Sequence, residues 1–264
     1  MIKADRLDPD RIRENLKTKR IGKKILVYDR TSSTNDIAAE YIKNGHNDGL
    51  VVFAEEQTAG RGRTGAKWYS NHGQSILSSI VLTGCKLSGE MMSLTFAVAV
   101  AEALGKVGRG TAAIKWPNDI LLNSKKVGGI LVESKHSGHT ISYIVGIGIN
   151  CHQNKESFPP ELRSAATSID LESKTTCDRI LLAKRLLTSM DYWLEAAEQN
   201  GTKVTDRWRQ LSTQLGQMVT LVFNRRRFTG NCIGVDPEKG LILQLNSGGI
   251  RMFDALHTTI AKSI

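Results

Sequence analysis

The chain has 264 residues, 40% hydrophobic and 23% charged, with a formal net charge of +10. This composition suits one large folded domain, or a large and a small one, and excludes a disordered or collagen-like chain. No apolar run reaches the roughly 20 residues needed to span a bilayer, and Met1-Ile2-Lys3-Ala4-Asp5-Arg6 does not read as a secretory leader.

The cysteines Cys85, Cys151, Cys177 and Cys232 are scattered. This points to reduced thiols in a cytoplasmic protein, not a zinc or disulfide framework. His136 and His139 flank Gly138 without a further ligand pattern, which reads as a surface turn, so no side-chain metal site is expected. The basic balance fits a nucleotide, a nucleic acid or an acidic protein partner, or simply a soluble basic surface, and charge alone does not choose among them.

In chain order, Asp8 and Pro9 open a short helix running to about Lys19. Residues 24–28 read as a strand. Ser32, Ser33, Thr34 and Asn35 are capping residues before a helix over 37–43 that stops at Asn44-Gly45. Strands follow at 50–54 and 75–82. Ser88 caps a helix over 91–104, apolar all round and therefore buried against a sheet.

A strand at 113–116 is broken by Pro117 and resumes at 120–122. Asn123-Ser124-Lys125 is a turn, strands cover 126–133 and 141–150, and residues 151–172 form a polar loop. Helices span about 176–199 and 202–211. From 215 the pattern becomes short strands at 218–223, 228–235, 241–245, 250–253 and 258–261, which suggest a small SH3-like barrel.

Gly60-x-Gly62-x-x-Gly65 has the letters of a dinucleotide fingerprint, yet a loop and a second strand follow it where a helix is required. The glycines therefore sit in a loop between strands, with Arg61, Arg63 and Lys67. Glycine lets backbone approach a ligand, and arginine binds carboxylate or phosphate through a bidentate fork. The loop alone fits two readings: a mobile cover over an anion, or an exposed basic hairpin.

Four further segments accompany it: Ser33-Thr34-Asn35, Lys115-Trp116-Pro117-Asn118-Asp119, Lys126-x-Gly128-Gly129-Ile130-Leu131-Val132-Glu133 and Gly146-x-Gly148-Ile149-Asn150. With Gln57-x-x-Gly60-Arg61-Gly62-Arg63-x-Gly65 they occur in one order, in which the chain resembles the biotin protein ligases (biotin–[acetyl-CoA-carboxylase] ligases) from about Lys24 to its end. The resemblance implies an α+β fold: a mixed sheet with helices on one face, as in class II synthetases and the biotin/lipoate ligase superfamily. Residues 1–214 would form the catalytic domain and 215–264 the SH3-like barrel.

The resemblance also implies the chemistry. Biotin carboxylate attacks the α-phosphate of ATP, and a lysine of a biotin carboxyl carrier domain then takes the biotinyl group from biotinyl-5′-AMP. ATP comes as its Mg²⁺ complex. Lys126, Arg61 and Arg63 would be catalytic. Ser33, Thr34, Asn35, Gln57, Gly60, Arg61, Gly62, Arg63, Lys126, Gly128 and Gly129 would bind biotin. Arg63, Trp68, Asn118, Asp119, Lys126 and Asn150 would bind the nucleotide.

Each residue also has an ordinary structural reading: Ser33 to Asn35 as a helix cap, Lys126 as a solvated lysine, Trp68 and Trp116 as core, Asn118-Asp119 as a turn, Asn150 as a strand end. Ala66 stands where many relatives carry a base, which puts one phosphate contact in doubt. The short stretch before the first strand leaves no room for the winged helix with which some relatives bind DNA. The expected protein is therefore a ligase without repressor function, homodimeric as many relatives are, with no membrane partner. The rival readings are a lipoate or octanoate ligase, whose glycine-rich signature with a following His residues 60–67 do not match, and a nucleic-acid-binding protein suggested by Arg225-Arg226-Arg227.

Overall fold

The structure is a computed structural model, and it describes residues 5–42, 45–105, 111–137, 140–173 and 175–261. His139 and the helix stop at Asn44 lie outside the described residues. The first helix, α1 (Pro9–Arg13), starts as its cap predicts: the Asp8 carboxylate accepts from Asp10 N at 3.0 Å and Arg11 N at 2.8 Å. It ends well before Lys19. Asn15 takes a φ of 57°, a left-handed conformation that asparagine tolerates and that breaks the helix.

Seven strands form a mixed sheet: β1 (Ile25–Thr31), β2 (Val51–Gln57), β3 (Ser75–Leu82), β4 (Ala112–Lys115), β5 (Asp119–Leu122), β6 (Lys125–Ser137) and β7 (Thr140–Asn150). Their spatial order is β1-β2-β3-β7-β6-β5-β4, with β1 and β2 parallel and the other pairs antiparallel. The sequence suggests one strand interrupted at Pro117. Instead β4 and β5 pair with each other, and Trp116, Pro117 and Asn118 make the turn of a hairpin. All eight residues of β3 are buried, because this central strand is covered on both faces.

Helix α3 (Gly89–Gly105) is buried almost all round, as its sequence requires, between the sheet and α5 (Arg179–Gln199) and α6 (Gly201–Leu211). The Ser88 hydroxyl accepts from Met91 N at 3.0 Å and caps it. The expectation of helices on one face holds for these three. Helix α2 (Thr34–Tyr41), the crossover from β1 to β2, lies on the opposite face. Alternate strand residues decide this: Val51, Phe53 and Ile80 join the main core, whereas Leu50, Val52 and Val81 pack with Ala38 of α2. The polar loop after β7 contains the one-turn helix α4 (Ile169–Glu172).

A second sheet, antiparallel and five-stranded, comprises β8 (Met218–Phe223), β9 (Arg226–Asp236), β10 (Gly240–Leu245), β11 (Ile250–Phe253) and β12 (Thr258–Ile260), in the order β11-β10-β9-β8-β12. Asn224 (φ 48°) and Arg225 (φ 65°) turn the β8–β9 hairpin, the two positive φ values expected of a tight two-residue connection. Leu221, Leu241, Leu243 and Phe253 fill its core. Trp116 N donates to Gln214 Oε1 at 2.5 Å, which ties the segment before β8 to the β4–β5 turn.

Under the main sheet lies a buried ionic network. The Arg179 guanidinium, 2% exposed, donates to Glu55 Oε2 at 2.6 Å and to Asp5 Oδ1 at 2.9 Å; Glu55 is 1% exposed. His152 completes it, 3.2 Å from Asp5 and 2.7 Å from Asp170. The Asp5 bond, opposed by burial and aided by Asp170, pushes His152 from 6.5 to about 9. A folded pKa above the unfolded one gives stability that is full below pH 6.5 and lost as pH rises through 9. Urea titrations at those two pH values should therefore show the wild type losing stability relative to His152→Gln. Parallel profiles would remove His152 from this role.

Candidate active site

The carboxyl ends of β1 and β2 deliver two polar segments to one place. β1 runs into α2, whose first residues Thr34 and Asn35 are buried, as is Ser33 before them. β2 ends at Gln57, whose side-chain oxygen accepts from Thr34 N at 2.7 Å and from its hydroxyl at 2.9 Å. Ser79 of β3 lies 2.7 Å from Thr34 Oγ1 and 2.5 Å from Asn35 Oδ1. Ser33 has the cap conformation but its side chain caps nothing, so the dense Ser/Thr/Asn run serves the site more than the helix.

The Gly/Arg loop folds back over these groups. Gly62 N donates to Ala66 O at 2.6 Å and Trp68 N to Gly60 O at 3.0 Å, closing it on itself. Arg61 is clamped by two carboxylates, Asp36 at 2.7 Å and Glu133 at 3.2 Å, and Glu133 also accepts from Asn35 at 2.8 Å. Partial burial lowers Arg61; Glu133 and Asp36 more than offset it and hold the guanidinium above its ordinary value.

Two strand glycines make the floor. A side chain on Gly146 would collide with the Asn35 amide, and one on Gly148 would lie 2.5 Å from the Trp68 indole. Both side chains can rest on β7 only because these positions lack a Cβ. Lys126 opens the opposite wall at the start of β6. Its ammonium pairs with Asp119 and sits 5.9 Å from the Trp68 ring centroid. Asn118 donates to Ile130 O at 2.9 Å and fixes the β4–β5 turn beside it.

The result is one open cavity of about 730 Å³. Ser33, Thr34, Asn35 and Gln57 line one end, Arg61, Gly62, Arg63 and Trp68 the loop side, Asn118, Asp119, Lys126 and Gly129 the wall, and the second sheet closes the far end through Met218, Thr220 and Arg227. Six cations border it (Arg61, Arg63, Lys67, Lys115, Lys126 and Arg227), against one carboxylate, Asp119, among the described residues. Such a cavity attracts anions. No cluster of three or more His, Cys, Asp or Glu able to hold a metal occurs among the described residues.

Three of the site residues named from sequence are not on its lining. Gly60 is needed because a Cβ there would press on Gln57 and Trp68, and Gly128 because one would press on Gly148 O; both serve chain packing. Asn150 gives its amide to Thr167 O at 2.9 Å, a buried loop anchor. Conversely, sequence reasoning left Asp36, Ser79, Gly146 and Gly148 out of the site and gave Glu133 no role. The paired in-strand glycines were the available signal for two of them.

A model of the biotin/lipoate A/B protein ligase family matches residues 27–150. The bifunctional ligase/repressor BirA of Bacillus subtilis is 32% identical over 257 residues, spanning 96% of this chain and 79% of that protein. The biotin–[acetyl-CoA-carboxylase] ligase of Paracoccus denitrificans is 31% identical over 226 residues, 83% of this chain and 93% of that one. A solved biotin protein ligase of Aquifex aeolicus, in complex with biotin and ATP, superposes with a TM-score of 0.76 at 26% identity, over 91% of this chain and 100% of that one. The family match and these relatives place the chain among the biotin/lipoate protein ligases, and within them it belongs to the biotin protein ligase family.

Proposed function

We propose that the protein is an ATP-dependent biotin protein ligase acting on a lysine of a carboxylase carrier domain. The observation that carries this reading is the six cations that border a cavity whose other end, lined by Ser33, Thr34, Asn35 and Gln57, is polar and neutral. Bringing a carboxylate against a triphosphate sets like charges together in a partly desolvated site, a cost that fixed cations offset. Lys126 stands where it can lie between the two anions. Its ammonium would balance the charge as biotin carboxylate oxygen bonds to the α-phosphorus and pyrophosphate leaves. The Thr34, Asn35 and Gln57 network offers donors and acceptors to the ureido ring of biotin. Trp68 and the β4–β5 turn would flank the nucleotide, whose Mg²⁺ would enter as part of the substrate. In the second step the acceptor amine attacks the acyl carbon and AMP departs, which needs no enzyme nucleophile.

The clamp on Arg61 makes it the hinge of the cover over the acyl-adenylate, since an exposed adenylate would hydrolyse or react indiscriminately. Arg61→Gly should raise the release of biotinyl-5′-AMP into solution about tenfold or more, read as biotinylation of bystander proteins. Unchanged retention would count against the cover. We read residues 1–214 as the catalytic domain and 215–264 as an SH3-like barrel that completes the cavity. The function itself is tested by pyrophosphate release with ATP and Mg²⁺, supplying biotin, lipoate or neither. Biotin-dependent release supports it, release with lipoate alone moves the activity to the sister branch, and silence from folded protein overturns it.

A further inference from the structure

Arg63 is the loop residue expected at the phosphates, yet its guanidinium is turned to the second sheet, where Nη2 donates to Ala255 O and, at 2.9 Å, to Thr258 O. These acceptors are neutral. Burial lowers the arginine, only partly countered by the charges of Glu90, Asp119 and Asp254. A half-desolvated cation on carbonyls is a poor final resting place and is released readily to an anion.

The same residue, Ala255, is gripped from its other side. Its N–H donates to Glu90 Oε1, in the first turn of α3. The second carboxylate oxygen, Oε2, is buried and has no hydrogen-bond partner among the described residues. A buried carboxylate left half satisfied is costly, so the position calls for an explanation beyond packing. One residue of the β11–β12 turn is thus held between a loop arginine and a helix carboxylate, with Arg63 the cation in the field of Glu90.

We propose that Glu90 is a positioning residue for the adenylating step: it fixes the Ala255 turn as the seat on which Arg63 parks, and so sets how readily Arg63 is surrendered to a nucleotide phosphate. The inference rests on the ligase reading. By linkage, whatever weakens the parked state strengthens phosphate binding by the same factor, and a bound phosphate frees the Ala255 turn. The groups facing Glu90 are Arg63 from the loop and Asp254 from the turn, and Asp254 is itself bonded to His257 at 2.8 Å. Burial first, then the balance of the Ala255 N–H, Asp254 and Arg63, puts the Glu90 carboxyl at about 6. Below that pH the seat loses its charge, and Arg63 is released more easily.

The test uses the full chain and α,β-methylene-ATP with Mg²⁺, which binds without reacting, followed by calorimetry. Glu90→Gln keeps the acceptor for Ala255 N and removes the charge. It should tighten binding about threefold to tenfold at pH 8 and flatten the wild-type gain in affinity on going to pH 5.5. In an Arg63→Ala background the same change should have no effect, because the cation it acts through is gone. An equal effect with and without Arg63, or no effect in either, overturns the proposal. If the wild type binds this analogue and, given ATP instead, releases pyrophosphate only with biotin, such a result removes Glu90 alone. A wild type that binds no nucleotide removes the ligase reading and the inference together.

Discussion

Lys126→Ala should slow biotin-dependent pyrophosphate release by about 10²- to 10³-fold, the loss typical of removing one charge stabiliser aimed at a developing anion. Nothing comparable is expected for the fold. The main chain at this position is fixed independently of the side chain: Lys126 N donates to Ala165 O and Lys126 O accepts from Thr167 N, both at 2.8 Å. The side chain is 38% exposed and pairs with Asp119, which reaches water once the lysine is gone. The loss should therefore fall on the rate of the chemical step more than on the affinity for ATP, since the ammonium matters most where carboxylate and α-phosphate meet. Single-turnover adenylate formation, with the thermal midpoint as control, decides it. A variant that forms adenylate at the normal rate would leave the gathering of anions to Arg61 and Arg63 and remove Lys126 from the mechanism.

The parts of this site that the sequence revealed are those whose causes are local. The apolar run of β3 needs no partner to be read, and its bounds, Ser75 to Leu82, are those expected. The glycines of the loop announce close backbone approach by residue type, whereas its arginines alone fit either a cover over an anion or an exposed basic hairpin. What stayed hidden depends on neighbours distant in the chain. No pattern around Asn150 tells that Thr167 will take its amide. Nothing beside Arg61 shows that Asp36 and Glu133 will clamp it, or that β4 and β5 will pair across Pro117. Likewise Arg63 looks outward to phosphate in sequence and sideways to Ala255 in the fold. The overextension of α1 has a local cause, a turn in which Glu14 leaves the helical ψ and Asn15 takes a left-handed conformation, which propensity alone does not weigh heavily enough.

Arg179→Ala should destabilise the protein by about 3–5 kcal/mol, the usual cost of leaving one half of a buried ion pair behind. Against a typical total of about 5–15 kcal/mol this threatens folding at elevated temperature. The reason is geometric. Glu55 is 1% exposed, and without the guanidinium its carboxylate keeps, among the described residues, only Leu7 N, at 2.6 Å, as a partner. Arg179 also donates to Ser75 O at 3.2 Å at the start of β3, so the same guanidinium joins α5 to the two strands that deliver Gln57 and Ser79 to the cavity. Loss of the network should thus weaken biotin binding even at temperatures where the variant is folded. Pairing the change with Glu55→Gln removes the stranded charge and should recover part of the stability, a non-additive result that two independent surface sites would not give. Urea unfolding of the two single variants and the double variant measures this. An Arg179→Ala protein within about 1 kcal/mol of wild type would mean that water satisfies Glu55 in its absence, and that the network guides the N-terminal segment without supporting the site.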